Sequence, residues 1–220
     1  MSASKSSSTT AAQANLLWQK QPKANAELFA LTYGALVGEL VRDLETSELI
    51  TEELDRMGHS MGIRCIEEFL AKSEATKCAS FAQTADLLKT ALRMFLGIVV
   101  DTRMTTDKPT ATTASSSSPA ENKNNPDATT STNNNNNKPF YSIVFQDNPL
   151  TIFVELPETM ADLPYNQLLA GMCRGMLELL QYDCQCHIAK SMVNGDDTNE
   201  IVVTLQQVLQ EGAGEEYQEE

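Results

Sequence analysis

The stretch "FYSIVFQDNPLTIFVELP", residues 140–157, decides the fold class. Residues 140–145 are rich in β-branched and aromatic side chains, which favour extended chain. Asp147, Asn148 and Pro149 are turn formers. Residues 152–156 return to the same β-type composition, so the stretch predicts two strands. Upstream and downstream of it the apolar residues recur at helical spacing. Strands set apart from helices predict an α+β fold.

Moving outward, Pro164 fits the first turn of a helix that runs from about Tyr165 to Met192 and stops at Asn194 and Gly195. Residues 201–204 are β-branched throughout and predict a last strand. Upstream, Asn25 is placed to cap a helix whose apolar run covers residues 28–44, with Glu27 at the positive end of its dipole. Ser47 is placed to cap the next. Ile50, Leu54, Met57, Met61 and Cys65, continued by Ile66, Phe69 and Leu70, form its apolar face. A third helix starts near Phe81 and carries Ala85, Leu88, Leu92 and Phe95.

Two segments lack any apolar period. Residues 1–22 open with "MSASKSSSTTAAQAN" and read as a disordered N-terminal tail. Residues 101–138 contain "TATTASSSSPAENKNN" and "TTSTNNNNNK", which cannot bury enough surface to offset ordering entropy. They read as a disordered low-complexity insertion in a surface loop, where added length costs little. One α+β domain over residues 23–210 remains, followed by an acidic tail at 211–220.

The chain has 220 residues and a formal net charge of -14. That charge argues against nucleic-acid binding, which needs Lys and Arg to neutralise phosphates, and against electrostatic docking on anionic lipid. No apolar run is long enough to span a bilayer. The N-terminus has no apolar centre for a secretory signal, and Ser2 follows the initiator Met where myristoylation needs glycine. The five cysteines are odd in number, and Cys65, Cys173 and Cys184 lie in apolar helical patterns. Reduced thiols in a cytosolic protein fit this better than disulfides.

Cys78 is the exception. It lies in "KSEATKCASF", residues 72–81, a polar connection between two helices. Cysteine usually sits in a core, so a polar turn is an odd place for one. The neighbouring Lys77 is expected to favour its thiolate.

Three helical segments carry glycine at i and i+4: Gly34 with Gly38, Gly58 with Gly62, and Gly171 with Gly175. Each helical glycine costs about 1 kcal/mol against alanine. Close helix packing would offset that, and so would a channel that needs the space for an apolar guest. "CQCH" at Cys184, Cys186 and His187 holds metal-ligand residue types, but on a helix i and i+2 point apart and no second pair stands nearby, so no metal is expected. Nothing places His59 or His187 beside a cysteine as a catalytic base. The methionines Met57, Met61, Met172 and Met176 read as core filler.

Several long motifs then occur in one order: "ELFALTYGALV" (27–37), "LDRMGHSMGIRCIEEFLAKS" (54–73), "KCASFAQTAD" (77–86), "MFLGI" (94–98), "DNPLTIFVELP" (147–157) and "LLAGMCRGMLELLQ" (168–181). Together they resemble the transport protein particle (TRAPP) family, and within it the acylated core subunit three, the Bet-three family. The resemblance covers about residues 25–100 and 140–216. It implies a TRAPP-type α+β domain, with helices packed on one side of a small antiparallel sheet around an internal hydrophobic channel.

The resemblance further implies a non-enzymatic scaffold subunit with no catalytic residues. Its partners would be other TRAPP core subunits, or a second copy when isolated, with a Rab-type GTPase met through the complex and vesicle coat and membranes only indirectly. The assembled complex would tether vesicles between ER and Golgi and exchange nucleotide on the GTPase, at the cytoplasmic face of those membranes. The family's acylated cysteine matches Cys78, which would carry palmitate or a similar fatty acid inside the domain. Candidate channel residues are Gly62, Leu88, Ala91, Leu92, Gly171 and Gly175. Between Cys78 and Leu96 the chain is about one residue shorter than the family pattern. The ending "AGEE", Ala213, Gly214, Glu215 and Glu216, matches the family's GTPase-contact tail. Glu211 and Gly212 stand before it, where an apolar residue and proline are expected, and "YQEE" follows. A lipid-binding or lipid-sensing domain working alone is the alternative, and a cysteine-dependent enzyme a third class.

Overall fold

The computed structural model describes residues 3–44, 46–73, 78, 80–105 and 138–209, and for residues 3–11 and 105 the backbone only. Lys77, residues 106–137 of the insertion and the tail residues Ala213, Gly214, Glu215 and Glu216 lie outside the described residues. Five helices are described: α1 (Ala3–Lys20), α2 (Ala26–Asp43), α3 (Ser47–Ser73), α4 (Phe81–Leu96) and α5 (Gln167–Leu179). Four strands, β1 (Asp101–Thr105), β2 (Phe140–Phe145), β3 (Tyr182–Lys190) and β4 (Asn199–Val208), form one sheet in the order β1-β2-β4-β3. Every neighbouring pair is antiparallel. The α+β class stands, and no described helix is long and apolar enough to cross a membrane.

Cross-strand pairs on the buried face set the register. Tyr141 lies opposite Val203 and Ile143 opposite Ile201. Cys186 and Ile188 of β3 continue the two rows from the other side of β4. A one-residue slip would turn all of these side chains to the opposite face. On β3, Tyr182, Cys184 and Cys186 are buried while Gln185 and His187 are exposed. The helices pack on the buried side, with α4 against β1 and β2 and α5 against β3.

Helix α4 shows why it takes that place. Ala85, Leu88, Ala91 and Leu92 recur at spacings of three and four and are buried, as are Leu87 and Met94. Each such leucine contributes about 1.5–3 kcal/mol of burial. Gly97, at φ 72°, ends the helix in the left-handed conformation that glycine tolerates best. Asn25 caps α2 as its sequence suggests, its Oδ1 accepting from the Leu28 amide at 2.7 Å. At α3 the cap is Thr46 rather than Ser47: Thr46 Oγ1 accepts from the Leu49 amide, and Ser47 is already helical.

Several expectations give way. Residues 1–22 are not without structure, because Ala14 and Leu17, one turn apart, bury a short apolar face that holds α1 on α4. Asp101–Thr105, assigned to the insertion, form β1. Residues 152–156 are not a strand. Both edges of β2 are already taken, by β1 and β4, and Pro149 and Pro157 break the segment into short 3-10 turns at Pro149–Thr151 and Glu158–Met160. The long helix of 165–192 ends at Leu179. Gln181, at φ 72°, reverses the chain, and the alternation of Tyr182, Cys184 and Cys186 makes the remainder β3. Asn194 and Gly195 therefore lie in the β3–β4 connection and not at a helix end. Cys184, Cys186 and His187 stand on a strand, where i and i+2 share a face.

Candidate functional site

Cys78 lies between the end of α3 and the start of α4, half-buried, and packs on the edge of the core. Its backbone carbonyl accepts from the Tyr182 hydroxyl at 3.4 Å. Phe81, the first residue of α4, sets its ring 4.9 Å from that of Tyr141 and 6.1 Å from that of Tyr182. Tyr141 is fully buried, and its hydroxyl lies 2.9 Å from Thr84 Oγ1. Thr84 donates its own proton to the Phe81 carbonyl at 2.6 Å, so Tyr141 is the donor to Thr84. Cys78 thus stands beside Tyr182, in an aromatic cluster whose Tyr141 and Tyr182 hydroxyls are hydrogen-bonded.

Cys173, Cys184 and Cys186 are buried beneath this cluster. Burial pushes the Cys173 and Cys184 thiols up to about 12 and Cys186 well above its ordinary value. They are neutral packing groups. Burial also raises the Cys78 thiol from its ordinary value, against the expectation that its thiolate is favoured. Among the described residues no base touches the Cys78 sulfur. His59 Nε2 instead meets Glu178 Oε2 at 2.5 Å, and His187 is on the exposed side of β3. The geometry offers a half-buried thiol at the edge of an apolar interior.

Leu88, Ala91 and Leu92 are buried along α4 and belong to the core. Gly62, Gly171 and Gly175 are placed elsewhere. A Cβ on Gly62 would fall 2.1 Å from the Met172 carbonyl oxygen, one on Gly171 2.3 Å from that of Asp55, and one on Gly175 2.2 Å from that of His59. Gly58 meets Leu168 O at 2.1 Å in the same way. These four glycines form the seam between α3 and α5, and the facing backbone fills the space they leave. Their expected place in a channel lining is replaced by close helix packing. Beside the seam, Asp55 accepts from Gln167 Nε2 at 3.1 Å and pairs with Arg174 at 2.5 Å.

The third pair behaves differently. A Cβ on Gly38 would meet nothing within 4 Å, and one on Gly34 only the Tyr165 hydroxyl at 3.6 Å. Met172 and Met176 are buried filler as expected, whereas Met61 is exposed because Gly58 and Gly62 take the core face of α3. Tyr182, Tyr141 and Thr84 were not singled out in the sequence. The signal for Tyr182 was its two-residue spacing to Cys184 and Cys186. No group of three or more His, Cys, Asp or Glu among the described residues is placed to hold a metal.

The chain is similar to known proteins over most of its length. It is 37% identical over 197 residues to "Trafficking protein particle complex subunit 3" of Dictyostelium discoideum, covering 89% of this chain and 90% of that one. It is 36% identical over 197 residues to "Transport protein particle subunit bet3" of Schizosaccharomyces pombe, covering 89% and 91%. A crystal structure of a trafficking protein particle complex subunit 3 from Naegleria fowleri, covalently bound to palmitic acid, superposes with a TM-score of 0.66 at 35% identity. It covers 85% of this chain and 98% of the other. Residues 29–204 match the family described as Transport protein particle (TRAPP) component, and the chain belongs to that family.

Proposed function

We propose that this protein is a non-enzymatic core subunit of a TRAPP complex and carries a fatty acyl chain on Cys78. The observation that carries the reading is the position of that thiol, half-buried just ahead of α4, a helix whose Leu88, Ala91 and Leu92 are buried in the core. A thioester formed there can turn its chain inward, where each buried CH₂ contributes about 0.8 kcal/mol. The related Naegleria subunit, with palmitic acid covalently bound, supports the same use of the fold.

Leu88, Ala91 and Leu92 are the proposed wall of the acyl channel, opened by side-chain rearrangement when the chain enters. The partners are other TRAPP core subunits. Through the assembled complex the protein contributes to nucleotide exchange on a Rab-type GTPase, with the tail Ala213, Gly214, Glu215 and Glu216 at that contact. Its place of work is the cytoplasmic side of ER-to-Golgi membranes.

Co-expression with a second TRAPP core subunit tests the reading. A stable complex that survives gel filtration is expected, with the same partner retained by Cys78→Ser. Failure to associate with any core subunit would overturn the scaffold role.

A further inference from the structure

We propose a second ligand site, independent of Cys78: a cavity under the end of α1 that binds a single-chain carboxylate, its head on Lys23 and its chain inside. The cavity has a volume of about 220 Å³ and is walled by Trp18, Phe29, Met94, Leu96 and Pro149, with Lys23 at its edge. Trp18 lies in α1 and Lys23 in the link between α1 and α2, both ahead of residues 29–204 that match the family.

The charges identify the ligand. Lys23 Nζ sits 3.2 Å from the centroid of the Trp18 ring and donates to the Trp18 carbonyl. The Arg93 guanidinium stands 5.6 Å from the same ring, and donates to Asn15 Oδ1 and the Gly97 carbonyl. Neither cation has a carboxylate partner among the described residues, although the chain holds 30 acidic side chains against 16 basic ones. Loss of hydration, and after it repulsion from Arg93, lowers the Lys23 pKa from its ordinary value. Two like charges sharing one ring beside an apolar cavity are complementary to a ligand with one negative head and an apolar body.

Trp18 is the only tryptophan in the chain, so its emission reports on this site alone. The full chain is titrated with dodecanoate, kept below its micellar concentration. A saturable emission change is expected, weakened about fivefold by Lys23→Gln, which removes the cation that meets the head of the ligand at a solvent-screened site. Dodecanol, with the same chain and no charge, should bind correspondingly weaker, and Cys78→Ser should bind dodecanoate as the parent does. No saturable change, equal affinity for acid and alcohol, or an unaltered Lys23→Gln would overturn the proposal. So would loss of binding in Cys78→Ser, which would move the ligand to the acyl turn. An emission change with phosphatidylserine vesicles but not with dodecanoate would assign the surface to a membrane and overturn it too.

Discussion

Gly62 of α3 faces the carbonyl oxygen of Met172 in α5 so closely that an added methyl would fall 2.1 Å from it. Backbone cannot retreat as a flexible side chain does, so Gly62→Ala must push the two helices apart. A loss of about 3 kcal/mol or more is expected in urea unfolding, beyond ordinary overpacking. Gly38→Ala is the control, because its Cβ would meet nothing within 4 Å. It should raise stability by about 0.5–1 kcal/mol through helix propensity and unfolded-state entropy. Equal effects of the two substitutions would refute the seam.

The Asp55–Arg174 pair sits beside that seam at 2.5 Å, with side chains 24% and 31% exposed. Partial exposure screens the charges, so the coupling between Asp55→Ala and Arg174→Ala in a double-mutant cycle should be about 1 kcal/mol. Asp55→Ala alone should cost more, because it also strips Gln167 of its acceptor. Higher salt should shrink the coupling. A coupling of zero at low salt would show that the pair does not hold the helices.

Burial raises the Cys78 thiol from its ordinary value, so the neutral thiol is the dominant species at neutral pH. Alkylation by iodoacetamide needs the thiolate. After neutral hydroxylamine has freed the thiol, the alkylation rate at Cys78, followed by peptide mapping, should lie below that of a free cysteine at pH 7.5. It should still be climbing with pH where a free cysteine levels off. A plateau below the ordinary thiol range would show that a nearby cation controls the thiol instead.

How much was legible in the sequence depended on where one period ran alone. Helices α2, α3 and α4 are plain from the spacing of residues such as Ile50, Leu54, Leu88 and Leu92, and the family motifs at 27–37 and 54–73 lie in the first two of them. Strand β3 was hidden because it follows α5 after only Leu180 and Gln181, and its cysteines also fit a helical stripe. Residues 152–156 have strand composition but no free edge of β2 to pair with, and pairing is a property of the whole sheet. Helix α1 is hard to read because its start is rich in Ser and Thr, while the apolar side chains that anchor it among the described residues, Ala14, Leu17 and Trp18, are few. Cys78 stands out in the sequence by its polar neighbours, but the acyl role proposed for it comes from the family resemblance and not from its spacing. The glycines of α3 and α5 were legible as a cost, but spacing alone could not say that facing backbone fills their space.

Intact mass decides whether Cys78 carries an acyl chain. The protein is produced in a eukaryotic host and weighed before and after neutral hydroxylamine, and the modified peptide is then mapped. A mass loss equal to one fatty acyl group is expected, taken from the peptide that contains Cys78 and absent in Cys78→Ser. An unchanged mass, or an acyl group on any other peptide, would contradict it.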